Sequence, residues 1–460
     1  MQELSAQSRI NSRSMGVKLI VVCGLAGLMA IPGLFVGELV EDRTHRAADV
    51  VRQITEYAGG PQTFLGPTLA IPLKTAKPSD KRETYLVFPT AASAVVKTVT
   101  EERRRSLFKV PVFQADVQLD AAFDLTGIPS AKPPNTELDW DQAEIVVGVS
   151  HVRGALADAV LTSGANTMTL VPAATAPDIT IGGDQSGRLI LTLLGARAET
   201  FAKPNARFSV SSTMRFSGAQ RIAVLSYGKR TRMSAQGDWP SPGFDGGFLP
   251  VRRTLTGNAF RAEWEVPFIA RGVRAEGPAD SFAGLEATAL GTSFVEVADP
   301  YQSVQRSQKY ELLFVGLIFL SYFVFEVVTG KRVHPAQYIL VGIAQIIFYL
   351  LLLSLAERIG FDWGFLVAGC ATVGLLSANA GWVFSSRAQA AKALGAFSLL
   401  YVLIYLLLRV EDNALLVGAV ASFLAVAVAM YLTRRIDWYS PFGVGTSSEG
   451  RRLTGSTDER

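Results

Sequence analysis

Histidine and cysteine are nearly absent from this chain, with three and two in 460 residues. Cys23 and Cys370 both fall inside apolar runs, and no cysteine lies between them. That excludes a disulfide framework or zinc ribbon over the whole intervening region. His45, His151 and His334 do not group with other ligand types, whereas zinc needs three or four ligands at workable spacing. No Walker loop is present, nor a dinucleotide-type glycine pattern after a strand. Ser150 and His151 are neighbours on the strand-like run Val146–Val152. Residues i and i+1 of a strand point to opposite faces, so the pair is not read as part of a triad. The expectation is a protein without catalytic activity, cofactor or metal.

Charge is also scarce: 18% of residues are Asp, Glu, Lys or Arg, against about 25% in a soluble domain. Hydrophobic residues make up 49%, and the mean hydropathy is +0.27. This apolar excess is confined to one segment near the N-terminus and the last third of the chain, which excludes a single soluble globule. A net charge of +4 does not point to nucleic acid, because the basic residues track the ends of the apolar runs.

Leu19–Val36 is apolar and small throughout, close to the roughly 20 residues a spanning helix needs. Arg9, Arg13 and Lys18 precede it, and Glu38, Glu41 and Asp42 follow. Positive charge holds the N-terminal side in the cytoplasm. No A-x-A-like cleavage site follows, and helical periodicity continues through Val40, Ala47, Val51, Ile54 and Ala58 until Gly59-Gly60-Pro61. The segment therefore reads as an uncleaved signal anchor with a helical stalk. Five further spans are expected at Leu312–Val328, Ala336–Ala356, Gly364–Phe384, Ala393–Leu408 and Ala414–Leu432. Short connectors make them an up-and-down bundle. If residues 41–308 are outside, Lys331, Arg332, Arg387, Lys392, Arg434 and Arg435 all fall inside. The connectors left outside, Glu357–Asp362 and Arg409–Asn413, mix one arginine each with acids, as the positive-inside rule requires.

Residues 62–300 read as β. Phe113, Ala115, Val117, Leu119, Ala121, Phe123 and Leu125 alternate with polar residues, so one face is buried and one is wet. Phe108, Val110 and Val112 alternate in the opposite phase, which suggests a bulge near Val112 and Phe113. Further strands are expected around Thr68–Ile71, Tyr85–Phe88, Ile145–Val149, Leu189–Leu193, Phe208–Phe216, Ile222–Leu225, Phe260–Val266 and Ser293–Val297. Lys132–Asn135, Gly182–Asp184 and Gly237–Gly247 read as turns or loops. Many one-sided strands point to sandwich-like antiparallel sheets. Arg103-Arg104-Arg105 is the one dense basic run, with a charge-guarded strand edge and a lipid-headgroup contact as its two readings.

The domain plan is a cytoplasmic N-terminus at 1–18, a membrane anchor at 19–36 and a stalk at 37–60. A periplasmic β-rich domain follows at 61–308, a five-helix bundle at 309–432 and a cytoplasmic, largely disordered tail at 433–460. The polar residues that stand out are Glu326, Lys331, Arg332, His334, Gln337 and Tyr338 at one bundle connector, with Asp437 and Trp438 after the last helix. An intramembrane acid needs a partner, and Lys331 or Arg332 is placed to reach back to Glu326. Two readings stay open: a proton- or ligand-responsive cluster, and snorkelling charges with an aromatic belt. Ser321, Tyr322, Gln345, Tyr349 and Ser354 suit interhelical hydrogen bonds. Gly33 with Gly37, and Gly374 with Ala378, are small-xxx-small pairs suited to helix crossings.

The runs Tyr322–Glu326 and Arg332–Gly342, the latter reading RVHPAQYILVG, resemble the CreD family of bacterial inner-membrane proteins. So do Phe348–Leu353, Arg435–Tyr439, Gly66–Pro72, and Trp239-Pro240 through Phe248–Pro250. The resemblance covers roughly residues 15–440 and implies an inner-membrane protein linked to cell-envelope integrity, without assigning activity or site residues. The expected function is a non-enzymatic envelope protein in the lipid bilayer, whose exterior domain binds an envelope component or a membrane partner. The alternative is a transporter or channel component gated around Glu326 and His334. Oligomeric state is not legible.

The charge pattern is testable by alkaline phosphatase fusions, which are active only outside the cytoplasm. Fusions ending at Gly360 or Asn413 should be active, and those ending at Arg387 or Arg434 inactive. The reverse pattern would overturn the assigned orientation.

Overall fold

The computed structural model describes residues 15–75, 83–105, 108–128, 136–176, 178–181, 189–294, 300–331, 333–409 and 414–434. The turns expected at Lys132–Asn135 and Gly182–Asp184 lie outside these residues, as do Arg332, Asp437, Trp438 and the tail from 435. The chain forms two compact units: a helical one of residues 1–45 and 298–460, and a β-rich one of residues 46–297.

The helical unit begins with α1 (Met15–Leu28) and the first part of α2 (Ala30–Tyr57), whose residues from Arg46 onward belong to the β-rich unit. Pro32 supplies no N–H for the Leu28 carbonyl, and the helix breaks at Met29 just before it. After the β region come α4 (Pro300–Lys309), α5 (Glu311–Thr329), α6 (Pro335–Ile359), α7 (Phe361–Val383), α8 (Arg387–Arg409) and α9 (Ala414–Thr433). The remaining helix, α3 (Phe268–Arg271), is a single turn in the β-rich unit. Five segments are long and apolar enough to cross a membrane: Gly16–Tyr57, α5, α6, α7 and Arg387–Leu406 of α8. The sixth expected span coincides with α9, some of whose side chains lie outside the description. The short helix α4, in a segment the sequence plan assigned to the β-rich domain, clusters with the helical unit.

Among the described residues the β-rich unit contains sheets of eleven and eight strands. Their inner faces share one core, in which Phe64 meets Phe216 edge-on at 5.3 Å and Phe113 lies 5.1 Å from Phe294. Neither sheet is purely antiparallel. Strand Gln62–Thr75 pairs in parallel with Arg221–Leu225, and Ala91–Arg105 with Arg230–Gly237. The segment expected as a loop around Trp239 contains a strand, Pro242–Gly246, hydrogen-bonded to Ala289–Phe294. The basic run ends strand Ala91–Arg105 on the exposed surface, with Arg103 bonded to Glu101 at 2.9 Å and Arg105 to Gln53 at 2.7 Å.

The bulge expected near Val112 is absent. Strand Phe108–Asp124 keeps an unbroken register with both neighbours, from Ala91↔Ala122 to Arg105↔Phe108 on one side and from Arg207↔Asp124 to Ala219↔Val112 on the other. The phase switch has a different cause. Val110 and Val112 belong to the outer face, and there they pack with Ala219 against Ile54 and Ala58 at the end of α2. Both faces of the strand are covered at this end, so Val110, Pro111, Val112 and Phe113 are all buried.

A register shift does occur at Gly66-Pro67, between Leu65 and Thr68 of strand Gln62–Thr75. Proline has no N–H for the ladder, which accounts for the interruption. Gly66 has a second role. A Cβ there would sit 2.3 Å from the Tyr227 ring. The ring passes over the glycine, and its hydroxyl reaches the carbonyls of Ser93 (2.8 Å) and Asp120 (2.9 Å), paired residues of the other sheet. Burial pushes the Tyr227 phenol well above its usual range, so it keeps its proton and remains the donor. This links the two sheets through one side chain. Gly66→Ala should destabilise the protein by about 2–3 kcal/mol, as an overpacked core does. The readout is a lowered thermal midpoint, with faster proteolysis of the β-rich unit; an unchanged midpoint would refute the close packing.

Candidate functional site

Glu326 lies in the last two turns of α5 and is completely buried. A buried carboxylate within a spanning helix is costly without a partner, so it needs compensation. Lys18 of α1 supplies it, ion-pairing with Glu326 Oε1 and donating to the Val333 carbonyl at 2.7 Å. The Val333 N–H donates to the same carboxylate oxygen at 2.9 Å, and the Tyr338 hydroxyl donates to Oε2 at 3.0 Å. Both carboxylate oxygens are thus engaged by residues from three segments.

The connector after α5 explains why these residues stand together. His334 is the N-cap of α6, its Nδ1 accepting from Ala336 N at 3.2 Å, and Pro335 occupies the first turn, where its missing N–H costs nothing. Starting the helix there puts Gln337 and Tyr338 on its first turn. Tyr338 turns inward to Glu326, packing edge-on against Phe319 at 5.6 Å. Gln337 accepts from Asn379 of α7 at 3.1 Å, and Asn379 accepts from Tyr322 of α5 at 3.2 Å. Gly342 leaves room for Met29, whose sulfur lies where a Cβ would come within 2.5 Å.

The partner expected for Glu326 was Lys331 or Arg332. Lys331 instead donates to the Phe384 carbonyl at the end of α7, and Arg332 lies outside the described residues. His334 is exposed and committed to the cap, while Glu326, Gln337 and Tyr338 are joined through buried or half-buried contacts. Sequence reasoning missed Lys18 and Asn379. Lys18 was visible only as the last cation before an apolar run, where it served as a topology marker. Tyr322 hydrogen-bonds to α7, while Gln345 accepts from Tyr401 of α8 at 2.8 Å, so these contacts reach beyond the first two bundle helices. Ser321 bonds back to its own helix at Leu317. Of the small-residue pairs, Gly33 lies against Glu311, whereas Gly37 and Gly374 have nothing within 4 Å.

The β-rich unit carries a separate cleft of about 800 Å³. Its lining includes Arg52 and Glu56 from the end of α2, Gly60, and Ser150, His151 and Arg153 beyond strand Glu144–Val149. Ser150 and His151 were expected on opposite faces. They meet: His151 Nδ1 lies 3.1 Å from Ser150 Oγ, because the strand ends at Val149 and the chain bends at Ser150. Both side chains also engage the backbone. Ser150 Oγ accepts from Thr63 N (2.9 Å) and donates to the Pro61 carbonyl (3.1 Å), and His151 Nδ1 is 3.0 Å from that same carbonyl. The imidazole lies over Gly60, where any Cβ would come within 3.0 Å of the ring. No group of three or more metal-ligating side chains occurs among the described residues.

Apolar helices before and after a large β insert, closed by a buried lysine–glutamate pair, define a multi-pass membrane protein. The family description Inner membrane protein CreD matches residues 14–439. Inner membrane protein CreD of Escherichia coli (strain K12) is 30% identical over 438 residues, covering 92% of this chain and 93% of that protein. The chain belongs to the CreD family of inner membrane proteins.

Removing one member of a buried pair strands the other charge, at a cost of about 3–5 kcal/mol. Lys18→Met should therefore lower the thermal midpoint sharply, and adding Glu326→Gln should restore part of the loss. Additive losses in the double-mutant cycle would show that the two residues do not act as a pair.

Proposed function

We propose that this protein supports cell-envelope integrity from the inner membrane, with its β-rich unit on the periplasmic side binding an envelope component or a membrane partner. The observation carrying this reading is the cleft around His151. At about 800 Å³ it falls in the size range of ligand sites, and it gathers two arginines, a glutamate and an imidazole on one rim. Arg153, Glu56 and His151 offer donors and an acceptor to a polar ligand.

The reading is of binding without catalysis. Ser150 Oγ and His151 Nδ1 both lie within hydrogen-bond reach of the Pro61 carbonyl, a backbone engagement that supports a binding role for the pair. The gating alternative draws less support, because Glu326 has both oxygens occupied by Lys18, Val333 and Tyr338. The orientation rests on the charge asymmetry of the connectors.

A photo-crosslinking residue placed at Arg153 or Thr192 in living cells should capture a discrete adduct. The same residue at Arg252, on an exposed edge strand away from the cleft lining, should not. Equal capture from both positions, or none from the cleft, would sink the assignment.

A further inference from the structure

Helices α7 and α8 leave between them a groove of about 720 Å³, away from the Glu326 clasp. Phe365, Gly369 and Val373 of α7 and Tyr401 of α8 line it and are themselves buried. Gly369 permits the close approach of the two helices, since a Cβ there would stand 3.3 Å from the Tyr401 ring. Further along, the groove opens. A Cβ at Gly374 would meet nothing within 4 Å, and Cys370 and Ser398 are exposed. Leu366, Leu394 and Val402, also in the lining, are each about half exposed.

One end of this apolar groove is charged. Asp362, in the first turn of α7, lines it, ion-pairs with Arg409 at the end of α8 and accepts from the Tyr405 hydroxyl at 3.0 Å. Arg409 Nε donates to the Tyr405 oxygen at 3.3 Å. The Asp362 and Arg409 side chains nevertheless remain 49% and 53% exposed. A carboxylate has about four lone-pair sites and a guanidinium about five N–H donors, so both keep capacity for an outside group. Trp363 beside them is exposed, as suits a ring at headgroup depth.

The groove's length matches one leaflet. Both α7 and the Arg387–Leu406 part of α8 are long and apolar enough to cross a membrane. From Asp362 to Gly374 the lining runs twelve residues along α7, or about 18 Å. Half of a hydrocarbon core of about 30 Å is about 15 Å, the reach of a single acyl chain. We propose that α7 and α8 form a binding site for a zwitterionic phospholipid of the phosphatidylethanolamine class. One acyl chain lies along Gly369, Cys370, Gly374 and Ser398, the phosphate meets Arg409 and the ammonium meets Asp362. A headgroup carrying both signs complements a mouth carrying both, whereas an anionic headgroup would face the carboxylate without a cation to offer it.

The test uses the full-length protein in phosphatidylglycerol nanodiscs doped with phosphatidylethanolamine that carries a diazirine on one acyl chain. After irradiation, peptide mass spectrometry should find adducts concentrated on Leu366–Gly374 and Leu394–Val402. The exposed α6 side chains Leu340, Ile343 and Ile347 should be labelled several-fold less. The matching diazirine phosphatidylglycerol should label the groove more weakly. Gly374→Leu and, separately, Ser398→Leu should lower groove labelling at an unchanged thermal midpoint, because both fill open space. Asp362→Asn with Arg409→Gln should abolish the preference between the two headgroups. Equal labelling of the groove and of α6, or equal labelling by both lipids in the wild-type protein, overturns the proposal. So does a groove that takes no lipid adduct while oxidation joins two copies through Cys370, which would place a second copy there instead.

Discussion

The helical unit is organised around burying a carboxylate where there is no water. Glu326 would destabilise any arrangement in which it faced lipid alone. Its compensation comes from α1, from the connector and from the start of α6, so the position of each is tied to one group. Lys18 must stand beside α5, Val333 must turn its N–H inward, and α6 must begin at Pro335 for Tyr338 to reach. The RVHPAQY motif becomes legible in these terms. Histidine caps, proline starts the helix, glutamine reaches Asn379 and tyrosine binds the acid.

The β-rich unit solves a different problem, joining two sheets into one core without disulfides. Its interior is filled by aromatic pairs from opposing sheets, and Tyr227 adds a polar tie through the gap left by Gly66. Proline next to that glycine interrupts the ladder, so the Gly66-Pro67 pair provides both a register shift and a passage for a ring. The end of α2 then covers the outer face around Val112, and its residues continue into the rim of the His151 cleft.

Much of the architecture could be read from periodicity and charge. Apolar runs located the spanning helices, and alternation located most of the long strands, because both depend on which side of an element meets water or lipid. Misreadings arose where a second partner intervened. Val110 and Val112 looked like a bulge because alternation assumes one covered face, and a helix covers the other. Ser150 and His151 looked divergent because the rule for strands was applied one residue past a strand's end. Lys18 counted only as a topology marker, since nothing in its neighbourhood reveals an acid 308 residues away.

By itself, then, the sequence determined the class of the protein: membrane helices before and after a β-rich insert, poor in cysteine and histidine, with basic residues at alternate connectors. Hydropathy and alternation are local properties, and they survive without knowledge of the fold. Only the tertiary structure decided which polar groups are satisfied. It pairs Glu326 with Lys18, leaves an oxygen of Glu311 unpartnered against Gly33, and threads Tyr227 past Gly66. Hydrogen bonds and ion pairs depend on distances of a few ångströms between segments far apart in the chain, and no local pattern encodes those distances.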